Sequence, residues 1–387
     1  MQKKNLSLLT IFFLLFLTTT SCNFGGTNDN ANQSTIKPAV VYTTDEKFNY
    51  KVFIDNSGSM DNFTPINKKK TTNYQHFLSS FLQHIYEPKN NSYNFYTFNS
   101  EIDTVSKPFQ HRSDIDLFVN ELTAGKLKEG NKNHTELEDI LRNIIDGLNK
   151  SDITIIVSDF KFDGKNANEK NTLKDQIAGH LGDKLKEYDY TTLVIKSHSE
   201  WNTDLNKPYY IMLIGNENKV NDILLYLQHN DYNKLGFDDF YKLSSPNKDI
   251  NAAIKTSNDY YDIPDAPTAL TIENTKVSDH SFKCYFRINM SSVPYSDQYL
   301  DDPNNYSCPG YNVEIKKDQN PYTHLVTLKA NQVIKGVVNF GLMNKNIDSL
   351  TSTNNNTDMP ALFVAMSEVY KQHYKSNLYF SKTITIK

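Results

Sequence analysis

Asp55, Ser57 and Ser59 stand at i, i+2 and i+4 directly after the apolar run Val52-Phe53-Ile54. A run this short and apolar reads as a strand covered on both faces, and the abrupt change to small polar residues marks its end. A curled loop there aims three oxygen side chains at one point. Gly58, between the serines, lets the backbone turn tightly without a Cβ clash. In open α/β sheets the turn beyond a strand's carboxyl end is where ligands bind. Hard oxygen donors suit a small divalent cation such as Mg²⁺, which takes six oxygens at about 2.0–2.1 Å and usually keeps some water. On their own, the same residues read equally as a serine-rich turn.

Two further oxygen-bearing residues follow. Thr135 opens an amphipathic run with Leu137, Ile140, Leu141, Ile144, Ile145 and Leu148 at helical spacing, where it serves as a ligand or only as the helix N-cap. Asp159 ends the β-branched run Ile153-Thr154-Ile155-Ile156-Val157-Ser158. In type, order and local context, Asp55-x-Ser57-x-Ser59, Thr135 and Asp159 resemble the metal-ion-dependent adhesion site of von Willebrand factor type A domains. The resemblance covers about Lys47 to Ser244. It implies that Ser57 and Ser59 ligate the metal directly and Thr135 directly or through water. Asp55 and Asp159 then act mainly through water or through hydrogen bonds to the serines. It also implies Mg²⁺, or Mn²⁺ or Ca²⁺ in its place, left electrophilic enough to accept an Asp or Glu carboxylate from a protein partner. One residue departs from the family pattern: Phe160 follows Asp159 where Gly is usual, so the outgoing loop is expected to differ.

The elements that must position these residues alternate. Tyr74, Phe77, Leu78, Phe81, Leu82 and Ile85 form one helical stripe; Tyr93 to Phe98 reads as a strand, with Ile102 to Val105 as a short antiparallel partner. Ser113-Asp114-Ile115-Asp116 looks like the capped start of a helix carrying Leu117, Phe118 and Leu122. Leu173, Ile177, Leu181 and Leu185 mark another helix, Leu193-Val194-Ile195 a buried strand, and Ser197 to Lys207 a polar stretch holding the only Trp, Trp201. Tyr209 to Ile214 is a further strand, and Val220, Ile223, Leu224 and Leu227 mark the closing helix. This alternation predicts an α/β domain over 47–262 with a doubly wound, mostly parallel sheet.

Ile263-Pro264-Asp265-Ala266-Pro267 reads as a linker. Beyond it, Phe282 to Ile288, Tyr311 to Ile315, His324 to Leu328, Val333 to Phe340, Ala361 to Met366 and Leu378 to Ile386 are short strand-like runs. They predict a smaller all-β sandwich over 263–387, with Glu368 to Tyr374 as an alternative short helix.

The first 22 residues combine Lys3 and Lys4, an apolar stretch from Leu8 to Leu17 that is too short to span a bilayer, and Thr19-Thr20-Ser21-Cys22. This pattern resembles a bacterial lipoprotein signal cleaved before Cys22, which then carries the lipid; the alternative is an ordinary secretory signal. Residues 23–46, rich in Asn, Gly, Thr and Ser, read as a flexible tether. The expected location is the bacterial cell envelope, lipid-anchored at the outer membrane and facing either the periplasm or the outside. A net charge of −4 over 387 residues provides no basic field for nucleic acid. Cys284 and Cys308 are either a disulfide in the second domain or two core thiols.

Phosphate loops, dinucleotide-binding glycines, His-Glu-x-x-His and Cys-x-x-Cys are absent from the sequence, and Ser57 is not in a nucleophile elbow. No His is placed by sequence to activate Ser57; His134, beside Thr135, is the one candidate base, and a lone His on a loop reads as a surface residue. The expectation is therefore a binding protein, not an enzyme: a cation-dependent module for adhesion or envelope-complex assembly. The rival readings are a metal-dependent hydrolase of phosphoryl or ester groups, and a metal-free scaffold.

Overall fold

A computed structural model describes residues 47–64, 71–105, 109–122, 136–162, 167–201, 204–230, 235–247, 250–254, 270–273, 282–319, 321–332, 334–345 and 357–387. Cys22, the tether, His134, Thr135 and the 263–267 linker lie outside these residues. Thr43–Lys387 forms one compact unit.

The first part runs β1 (Asn49–Asp55), a 3-10 turn (Gly58–Phe63), α1 (Asn73–Ile85), β2 (Ser92–Phe98), β3 (Ile102–Thr104), α2 (Arg112–Glu121) and α3 (Leu137–Asp146). It continues through β4 (Asp152–Ser158), α4 (Ala167–Glu187), β5 (Thr191–Trp201), β6 (Asp204–Gly215), α5 (Glu217–His229) and β7 (Phe237–Leu243). The strands form a seven-stranded sheet in the order β3-β2-β1-β4-β6-β5-β7. β1 pairs in parallel with β2 and β4, and every other pairing is antiparallel. Four strands (β1, β2, β4 and β5) thus run in one direction, but parallel hydrogen bonding is confined to the β2-β1-β4 centre. The reason is a long hairpin. Within the polar stretch read over 197–207, residues 197–201 and 204–207 extend β5 and β6, which pair from Thr191↔Gly215 out to Trp201↔Asp204. That hairpin inserts β6 beside β4.

Side chains alternate across the sheet, as strand geometry demands. Val52, Ile54, Ile155 and Val157 pack with α1, α2 and α5 on one face, whereas Phe53, Ile156, Met212 and Ile214 pack with α3 and α4 on the other. β4 is buried along its whole length, which is why its sequence is an almost unbroken apolar run. Two details differ from expectation. α2 begins at Arg112, with Asp114 Oδ2 accepting the His111 and Gln110 amides, and it buries Ile115 and Val119 while Leu117 is 62% exposed. β7, whose start is interrupted by Asp238 and Asp239, carried no strand signal.

The second part contains β8 (Ala252–Ile254), β9 (Leu270–Ile272), β10 (Phe282–Ile288), α6 (Asp297–Asp301), β11 (Tyr306–Ser307), β12 (Asn312–Lys317), β13 (His324–Ala330), β14 (Gly336–Met343), α7 (Met359–Tyr374) and β15 (Leu378–Ile386). Two four-stranded sheets, β12-β13-β10-β8 and β11-β14-β15-β9, face each other through contacts such as the edge-on Phe286–Phe340 pair. Cys284 and Cys308 are buried thiols in this core that are not joined in a disulfide; burial pushes the Cys308 thiol up to about 12.

Ala361 to Met366 is not a strand. It lies in α7, which buries Met359, Leu362, Phe363, Met366 and Tyr370 on one stripe. α7 leaves the sandwich and joins the α3/α4 layer of the seven-stranded sheet, where a Cβ on Gly182 would come within 2.9 Å of Val369 Cγ1. No helix of the described residues is long and apolar enough to cross a membrane.

Candidate metal centre

β1 and β4 are adjacent and parallel, with Ile54 opposite Val157, so Asp55 and Asp159 emerge side by side at their carboxyl ends. The chain leaves β1 toward β2 on one side and returns to β4 on the other. The crevice between β1 and β4 is therefore the sheet's topological switch point.

Asp55 Oδ1 accepts the Ser57 backbone N–H at 2.8 Å, and Asn56 N–H donates to Phe98 O at 2.7 Å. Together these bonds bend the chain into the 3-10 turn, which brings Ser57 Oγ and Ser59 Oγ to 3.0 Å of each other. Across the crevice, the Ser59 side chain hydrogen-bonds the Asp159 carboxylate. Asp55, Ser57 and Asp159 are all buried. The structure thus brings together four of the five predicted ligand residues; Thr135 lies outside the described residues, and α3 starts beyond it with Glu136 as N-cap.

The sequence reading missed Ser158. Its Oγ donates to Asp55 Oδ2 at 2.6 Å and accepts the Phe160 N–H at 2.9 Å, tying the two loops together. It occupies the last position of β4 and reads in sequence as strand filler; its place beside Asp159 was the only signal. Phe160, where glycine was expected, keeps the glycine-like left-handed backbone at φ 51° with its ring fully buried against Tyr210. The left-handed region costs an L-residue roughly 1–2 kcal/mol, less than burial of a phenyl ring returns. The outgoing loop therefore takes, at a non-glycine residue, a backbone conformation that favours glycine.

Burial, and next the charge of Asp159, push the Asp55 carboxyl above its ordinary range. Burial raises Asp159 as well, opposed by its bond from Ser59 and by the positive charges of Lys207 and Lys161. Two buried carboxylates joined to hydroxyls through hydrogen bonds form an all-oxygen donor set in which the Asp159 charge acts unfavourably on Asp55. Such a set fits a hard divalent cation. Among the described residues no three His, Cys, Asp or Glu side chains converge, so the candidate set rests on two carboxylates and the serine hydroxyls. No protein-family model matches the chain, and no curated protein matches it.

Proposed function

We propose that this chain is a cation-dependent protein-binding module of the von Willebrand factor type A class, acting in adhesion or envelope-complex assembly from a lipid anchor at Cys22. The observation that carries this reading is the pairing of buried Asp55 and Asp159 with Ser57 and Ser59 at the switch point between parallel β1 and β4. Ser57 and Ser59 would hold Mg²⁺ through their hydroxyls. Asp55 would orient the first loop through the Ser57 amide, and Asp159 would hold Ser59. When bound, the ion supplies an electrophilic position for a partner's Asp or Glu carboxylate. Because the two protein carboxylates act largely through the serines, they neutralise the ion without filling its coordination sphere.

The test is a calorimetric Mg²⁺ titration of wild type, Asp55→Ala, Asp159→Ala and Ser57→Ala, alongside capture of envelope proteins in Mg²⁺ or EDTA. Each variant is expected to fold and to lose Mg²⁺ affinity by roughly 10–100-fold or more, as metal sites respond to even outer-sphere losses. Ser197→Ala, at a buried position of β5 with no ligand role, is expected to bind as wild type does. Unchanged affinity in both aspartate variants would sink the reading.

A further inference from the structure

Asp358 sits immediately before α7, where an aspartate ordinarily caps its own helix. Here its side chain makes no cap bond, and the first turn is met by Thr357 Oγ1, which accepts the Met359 N–H at 3.2 Å. The Asp358 carboxylate turns instead to the loop after β4. Its Oδ2 accepts the Phe162 N–H at 3.0 Å, and its own backbone N–H donates to Phe160 O at 2.8 Å. Asp358 therefore grips the loop at two points, one on each side of Lys161 and directly after Asp159.

The grip is anchored from a third side. Lys170 Nζ lies 3.0 Å from Oδ2 and Lys174 Nζ 3.1 Å from Oδ1, both from the same face of α4. Burial works against the charge, but the Phe162 amide, Lys170 and Lys174 prevail and hold the Asp358 carboxyl below its ordinary range. The clamped loop contains Phe160, which holds a costly left-handed backbone between the Ser158 hydroxyl and the Asp358 amide. Strained residues persist where their surroundings over-determine them.

We propose that Asp358 is a positioning residue for the Asp159 loop, so that the candidate metal centre is completed by the segment that leads into α7. The affinity part of this proposal rests on the metal-binding reading; the loop part does not.

The test is amide hydrogen exchange on the full chain without Mg²⁺, paired with calorimetric Mg²⁺ titration. In wild type, the Phe162 and Asp358 amides should exchange slowly and at matching rates. Asp358→Ala should speed Phe162 exchange roughly tenfold or more and weaken Mg²⁺ binding about tenfold, while β4 amides stay protected. Asp358→Asn keeps an acceptor for the Phe162 N–H, and should recover most of both despite losing the lysine pairs. A role confined to α7 stability would loosen α7 in both variants and leave Phe162 untouched; that result overturns the proposal. Should Asp358→Ala not fold, wild type decides: fast or unrelated exchange at Phe162 and Asp358 overturns it equally. A wild-type chain with no Mg²⁺ affinity would defeat the proposed function, while the exchange arm would still decide the role of Asp358.

Discussion

Asp55 and Asp159 both bind protons more tightly in the folded chain than in the unfolded one, through burial and, for Asp55, through the charge beside it. With folded values raised, the stability that protonation supplies is complete below the ordinary carboxylate range and is lost as pH rises through the raised values. The cation-free protein is thus expected to melt at a higher temperature at about pH 6 than at about pH 8, with each kcal/mol worth roughly 2–4 °C. Asp55→Asn and saturating Mg²⁺ should each narrow that gap. A wild-type melting temperature that climbs between these two pH values in the absence of cation would contradict the assignment. Asp55, Ser57, Ser59 and Asp159 were legible because each stands at the end of an apolar run or within two residues of its neighbour. Ser158 and Lys207 were not: one looks like a strand residue, and the other nears Asp159 only through the antiparallel register of β6 on β4. Asp358 was further out of reach, since only tertiary packing brings it to Phe160 and Phe162.

At the scale of elements, the misread helix is instructive. Ala361 to Met366 is six residues of mostly apolar character, too short for its period to separate a helix from a buried strand. The helical spacing emerges only across Met359 to Tyr370, where Tyr370 reaches Thr192 Oγ1 at 2.9 Å and Tyr190 O at 3.0 Å. Likewise, the β5 arm of the β5–β6 hairpin lacked apolar alternation because the positions it buries are serines, Ser197 and Ser199, the second accepting the Tyr74 N–H at 2.9 Å. The α4–α7 contact depends on the missing side chain at Gly182. Gly182→Leu is expected to cost about 1–3 kcal/mol by overpacking against Val369. Val369→Ala in the same chain should return part of that loss. Urea midpoints of the two single variants and the double variant would measure the coupling, and strictly additive losses would refute the contact.

For the whole molecule, the predicted division at 262/263 cuts through shared structure. β8, from before the linker, pairs with β10, and α7, from after it, covers the α4 face. Lys345 Nζ meets both oxygens of Asp239 at 2.6 and 2.5 Å, and Lys242 is buried against Glu217 at 2.7 Å beneath the Tyr379 ring. Residues 47–387 should therefore unfold in one transition, coincident by far-UV dichroism and by thiol labelling of Cys284 and Cys308. A fragment of 47–262 should be unstable, having exposed Ile177, Ala178 and Leu181. Two separated transitions would show the division to be real. The central place of β1 has a mechanical meaning. The chain enters it at Asn49 and reaches Asp55 at the end of its seven residues, with parallel ladders to β2 and β4 on both sides. Tension applied between the preceding segment and a partner held at the proposed ion on Ser57 and Ser59 would pull along the strand. The hydrogen bonds of both ladders would then be loaded together in shear instead of being unzipped one by one.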